Sequence, residues 1–231
     1  MHGVKPRGGD PIWAPGFLPR RFQPTAIDGR SATPIANLAR LKTMTDPQQR
    51  AQLDALKFLN SKHQELRPHE ADLAARLESF ELAYRMQTAA PEAMDIARES
   101  KETQSMYGID QKETQLVAKQ CLTARRLIER GVRFVQLYAA TNGGGGGVGD
   151  VPWDGHSDIK LNHSIAGKSV DQPIAALLSD LKSRGLLEST LVVWGGEFGR
   201  TSDSQGSKGR DHNPNAFTMW MAGAGIKGGV Q

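Results

Sequence analysis

Two polar clusters in this chain carry side chains that ligate metals. Trp153-Asp154-Gly155-His156-Ser157-Asp158 is the first, with His163 a short way on; Gly196-Glu197-Phe198-Gly199-Arg200 and Gly209-Arg210-Asp211-His212-Asn213 make the second. Carboxylate oxygens and imidazole nitrogens are zinc-type ligands, and a catalytic centre keeps one position open for water or substrate. Two cations a few ångströms apart would stabilise both the attacking and the leaving oxygen of phosphoryl or sulfuryl transfer. Arg200 has the planar fork that grips an anionic ester through paired N–H groups. Each residue alone has a bland alternative: Asp-Gly-His is a common turn, and Asp211-His212 could be a loop cap. Taken together, Asp154, His156, Glu197, Asp211 and His212 are the expected ligands of a hydrolytic metal site, with Arg200 as its anion-binding group.

The elements that must position these groups follow from periodicity and punctuation. Strands are expected at Val132–Tyr138, Thr190–Trp194 and Phe217–Ala222, and a helix at Asp171–Arg184 that ends at Gly185. Strand, crossover helix and strand make a parallel unit, so the loops that follow the two strands open on one side. Ligands bind outside the carboxyl ends of such strands, which would make the distant clusters neighbours. Upstream, helix signals dominate from 46 to 131. Asp46-Pro47 begins a helix bearing Leu53, Leu56 and Leu59. A second helix starts near Pro68 with Leu73, Leu77, Phe80 and Tyr84 on one stripe. A short third follows Pro91, and a fourth, from about Asp110 to Arg130, stops at Gly131. The charged residues here (Arg76, Glu78, Arg85, Lys112, Arg125, Arg126) are expected on solvated faces. His63 and His69 have no partner at ligand spacing and are expected at surfaces or helix ends.

The expected organisation is an irregular Pro- and Gly-rich segment over 1–45, a helical segment over 46–131 and an α/β segment over 132–231 that carries the site. A net charge of +4 spread over 231 residues, with cations and anions interleaved, gives no basic stripe for nucleic acid. No run approaches the roughly 18 apolar residues of a membrane span. The N-terminus has no apolar stretch of the kind a signal peptide carries. Cys121, the single cysteine, falls on a helical face with Val117 and Ala124 and is expected as core filler. The glycines from 143 to 147 match neither dinucleotide nor Walker spacing and are expected to form a loop.

Several stretches are similar to one family. Asp171-Gln172-Pro173-Ile174-Ala175-Ala176-Leu177-Leu178, Leu191-Val192-Val193-Trp194-Gly195-Gly196-Glu197-Phe198-Gly199-Arg200-Thr201 and Gly209-Arg210-Asp211-His212-Asn213 resemble DUF1501, a family similar to the alkaline phosphatase and sulfatase superfamily. Phe80–Gln87 and Cys121–Leu127 resemble it too. The resemblance implies a partial alkaline-phosphatase-like parallel sheet with flanking helices, preceded by the helical segment. It implies that Asp154, His156 and His212 hold one metal. Glu197 falls where the superfamily has the Asp of an Asp-His pair, and Phe198 stands where the His would be, so the second metal loses a ligand. The implied ion is divalent, zinc first, with calcium or manganese as alternatives and a metal-free site left open.

The resemblance further implies a segment of a longer, twin-arginine-exported protein of the periplasm or cell envelope, with its Ser or Thr nucleophile outside this chain. The expected function is hydrolysis of sulfate or phosphate esters, including those of sulfated polysaccharides, with the segment inactive alone. The alternative is a non-catalytic, exported binding or scaffold protein that keeps the fold. Substrate identity and oligomeric state are not specified by these residues.

Overall fold

A computed structural model describes residues 1, 13–18, 22–67, 71–139, 153–196, 198–204, 206 and 208–229, with the backbone alone at 71–77. Glu197, His69 and the glycines from 143 to 147 lie outside these residues. The fold is mixed α/β, with five α-helices among the described residues, α1 (Asp46–Leu66), α2 (Ala71–Met94), α3 (Lys101–Tyr107), α4 (Gln115–Glu129) and α5 (Ile159–Ser183), and four short strands, β1 (Val192–Gly195), β2 (Gly199–Arg200), β3 (His212–Asn213) and β4 (Met219–Ala222). Two compact units divide the chain, one of Pro6–Asp95 and one of Met1–Lys5 with Ile96–Gln231. The division falls at Asp95 and not near 131, because α3 and α4 find their apolar partner in α5.

In the first unit α1 packs on α2. Thr45 caps α1 in a reciprocal box: its backbone N–H donates to Gln48 Oε1 at 2.8 Å, and Gln48 N–H donates back to Thr45 Oγ1 at 3.4 Å. The cap lies one residue before the Asp46-Pro47 start read from sequence. Leu56 and Leu59 sit at helical spacing, yet both are exposed. α2 runs through Pro91 to Met94, so the short helix expected after Pro91 is the end of α2, followed by a 3-10 turn at Ile96–Arg98.

The core of the second unit is built from Tyr107 of α3, Val117, Ala118, Cys121 and Leu122 of α4, and Val170, Ala176, Leu177 and Leu181 of α5. On α5 the buried residues step by three and four, which defines one apolar face. Burying a leucine such as Leu122 or Leu181 contributes about 1.5–3 kcal/mol. Arg125 and Arg126, expected in solvent, are buried. The Arg125 guanidinium is 1% exposed and meets Glu99 at 2.6 Å, Glu129 at 2.7 Å and Asp180 at 2.9 Å. Carboxylates on three sides are what make burial of that charge tolerable. Burial pushes the Cys121 thiol up to about 12, so it stays protonated and inert at neutral pH.

Two strand expectations are corrected. Residues 132–137 form no strand, although Leu137 packs on the helical core, and Phe134 is 81% exposed. β1 pairs with β4, and β2 with β3, and both pairings are antiparallel. The parallel pairing of 132–138 with 190–194 is therefore not among the described ladders. The helix expected from Asp171 starts at Ile159 instead and passes through Pro173. Asp158 ends the preceding loop as its N-cap, accepting from Leu161 N–H at 2.9 Å, so its carboxylate is spent on the helix.

Candidate metal centre

Three layers of local structure carry the two clusters to one place. Trp153 packs on the helical core and stands edge-on to Trp194 of β1 at 6.2 Å, and Trp194 stacks on its cross-strand partner Trp220 at 6.3 Å. This aromatic series ties the loop that begins at Trp153 to the β1–β4 ribbon. His163, on the first turns of α5, reaches back to the Trp153 carbonyl at 3.4 Å and packs on its ring. It supports the loop.

The loop is then fastened to the second cluster by backbone bonds. Ile159 N–H donates to the Lys208 carbonyl at 2.9 Å, and Arg210 N–H donates to the Gly155 carbonyl at 3.0 Å. Gly209 makes this approach possible: a Cβ there would lie 1.7 Å from the His156 carbonyl oxygen. Finally, the β2–β3 ladder sets Arg200 directly opposite His212. Convergence is thus achieved by a glycine-dependent backbone contact and an antiparallel ribbon, where sequence reasoning expected a parallel sheet edge.

The ligand atoms form a near-equilateral triangle. His156 Nε2 and His212 Nε2 are 3.0 Å apart, and they lie 3.0 Å and 2.9 Å from Asp154 Oδ1. All three side chains are a little under half exposed, so the triangle is open to solvent. Among the described residues this is the one group of three such side chains close enough to hold an ion. Asp211 does not join the triangle. Its Oδ1 stands 3.4 Å from Nδ1 of His156, while its backbone is held by Thr201 through two bonds of 3.0 Å. A carboxylate behind an imidazole draws the ring proton to the near nitrogen and leaves a lone pair on the far one. Nε2 of His156 then turns a lone pair toward the Asp154 carboxylate, an arrangement that a cation between them would reward. Two ligands of an ion with bonds of about 2.1 Å sit roughly 3.0–3.4 Å apart, so the residues present fit a divalent metal.

Two further side chains shape the site. Arg200 Nη1 donates to Asp154 Oδ1 at 2.9 Å, and its Nη2 reaches the Trp153 carbonyl at 3.4 Å. Hydrogen bonds from His212, with Arg200 beside it, outweigh partial desolvation and hold the Asp154 carboxyl below its ordinary range. Asp154 is accordingly an anion at neutral pH. Phe198 lies against the His212 ring at 4.1 Å and faces the Arg200 guanidinium at 5.7 Å. Sequence reasoning saw Phe198 only as a missing ligand; its role as a wall that fixes His212 has no signature in spacing. The Arg200–Asp154 bond was equally hidden, since residues 46 apart in sequence announce no contact.

A family model described as "Protein of unknown function (DUF1501)" matches residues 1–231, the whole chain. No curated protein and no solved structure matches it.

Proposed function

The chain belongs to the DUF1501 family, and we propose that it contributes a mononuclear divalent-metal centre that handles sulfate or phosphate esters. Asp154, His156 and His212 would hold the ion, zinc first and manganese or calcium next. The observation that carries this proposal is the 2.9–3.0 Å triangle of two imidazole nitrogens and one carboxylate oxygen. A bound ion would supply electrophilic polarisation of an ester oxygen. The chain's own groups divide the remaining work. Asp211 orients His156, Phe198 fixes the His212 ring, and Arg200 is placed beside the site to hold an oxyanion.

Glu197 and Asp211 were both expected as ligands; Asp211 is proposed as an orienting group, and Glu197 keeps its place in the proposal as a candidate ligand. The chemistry proposed is ester hydrolysis in the whole protein, with substrates that include sulfated polysaccharides and a location in the cell envelope after export. An alkaline-phosphatase-like parallel sheet in the whole protein belongs to the same proposal. No helix among the described residues is long and apolar enough to cross a membrane.

One observation favours a second function. Phe198, which stands in sequence where the resemblance implies a His of a second metal, packs on the His212 ring instead, and the loss of that ligand favours a binding or scaffold protein with a structural ion. Zinc, manganese and calcium titrations of the chelator-stripped protein test the centre: one site is expected, lost in His212→Ala. A wild-type protein that takes up none of the three refutes it. Hydrolysis of aryl sulfate or aryl phosphate by the metal-loaded protein then separates enzyme from scaffold.

A further inference from the structure

We propose that Arg200 and the divalent cation compete for a single oxygen, Asp154 Oδ1, so that cation binding releases the guanidinium to hold a tetrahedral oxyanion. The inference rests on the metal centre proposed above and adds its regulation: the anion site is switched on by the metal.

The crowding at that oxygen is the basis. His156 Nε2 at 3.0 Å, His212 Nε2 at 2.9 Å and Arg200 Nη1 at 2.9 Å all converge on Oδ1. A carboxylate oxygen offers about two lone-pair directions. An ion held by both imidazole lone pairs takes the direction that the His212 N–H occupies now, and its charge, a few ångströms from the guanidinium, drives Arg200 off the other. Arg200 has little else to hold its head group in place. Its bond to the Trp153 carbonyl is long at 3.4 Å, and the Phe198 ring offers only its face, at 5.7 Å. The guanidinium can therefore turn while β2 stays paired.

Charge points the same way. Without a cation, the Arg200 fork is consumed by Asp154. An incoming sulfate or phosphate group finds that donor occupied and the Asp154 carboxylate beside it. A divalent ion adds two positive charges there and frees the fork, which matches the paired oxygens of an oxyanion. The two ligands must then assist each other, and by linkage each strengthens the other by the same factor.

Calorimetric titration of zinc into the chelator-stripped protein, in sulfate or in chloride at equal ionic strength, tests this. Sulfate should tighten zinc binding several-fold. Arg200→Gln should bind zinc on the order of tenfold tighter than wild type in chloride, because a like charge a few ångströms away has been removed. It should also lose the response to sulfate. Wild-type zinc binding that ignores sulfate overturns the proposal, as does an Arg200→Gln protein that binds zinc no more tightly. The sulfate comparison uses the unaltered chain, so it decides even where the variant folds poorly. A wild type that binds no zinc at all refutes the metal centre itself, a distinguishable failure.

Discussion

Replacing Gly209 by alanine is the sharpest test of how the two clusters are brought together. The added Cβ would lie 1.7 Å from the His156 carbonyl oxygen and 2.2 Å from its carbon. The obstacle is backbone, so no side chain can swing aside. Ordinary contact begins at 3.4 Å, and the two segments must part by well over an ångström. That displacement breaks the Arg210–Gly155 and Ile159–Lys208 backbone bonds, now 3.0 Å and 2.9 Å long. At about 1 kcal/mol for each bond, the local cost is roughly 2 kcal/mol. His156 moves away from His212, and the shared ligand triangle opens. We expect Gly209→Ala to weaken zinc binding about 30-fold, the equivalent of those 2 kcal/mol, while the α3–α5 core keeps its helical circular dichroism. Gly167 is the control: it lies inside α5, and a Cβ added there would meet nothing within 4 Å. Gly167→Ala should therefore leave zinc affinity unchanged and raise stability by about 0.5–1 kcal/mol. Wild-type zinc affinity in Gly209→Ala would refute the claim that this close approach assembles the site.

Arg125→Met should destabilise the second unit by about 1–3 kcal/mol, because it removes the buried guanidinium shared by Glu99, Glu129 and Asp180 while Arg126 still holds Glu99 and Arg184 still holds Asp180; urea denaturation reads this, and an unchanged midpoint would show that guanidinium to be dispensable. Burial raises the Glu99 carboxyl, but hydrogen bonds from Arg125 and Arg126 outweigh it and leave the group below its ordinary 4.5. A lowered folded-state value means that the contribution is complete above the ordinary value and is lost as pH falls through the folded value. Thermal melts should therefore show Glu99→Gln less stable than wild type at about pH 7, with the gap narrowing as pH falls below the ordinary 4.5.

The legible parts of this fold are those whose signal is local. Gly131, at φ 82°, ends α4 where the sequence places the stop, and the stripe through Val117, Cys121 and Ala124 is buried as its spacing implies. The start of α5 was hidden because its early residues, such as Lys160, Leu161 and His163, lack a buried apolar stripe. Pro173 then imitated a first-turn proline although it sits buried in mid-helix. Arg125 shows the converse: a charged residue reads as solvent-facing until its carboxylates arrive from Glu99 and Asp180, and neither is visible in the α4 sequence. At the site, ligand chemistry singled out Asp154, His156 and His212, because few other residue types coordinate metals, and the structure brings those three side chains together. Their support was not legible, since the closeness of Gly209 to His156 and the packing of Phe198 on His212 exist only in three dimensions.

The site's exposure and its rigidity have to be considered together. Half-exposed imidazoles and a carboxylate at the surface would ordinarily be free to turn toward solvent, and ordering them on ion capture would cost affinity. Here the cost is met beforehand by the frame. Trp153 is anchored through Trp194 and Trp220, the segment after it is capped by Asp158 onto α5, and Asp211 and Phe198 brace the two rings from behind. Arg200 is held by a contact that a bound cation would itself undo. In the proposed function, a rigid triangle beside that releasable side chain takes an ion first and an anion second. The buried core of α3, α4 and α5 needs neither ligand, so stripping the metal should abolish oxyanion binding while leaving the unfolding of the helices unchanged.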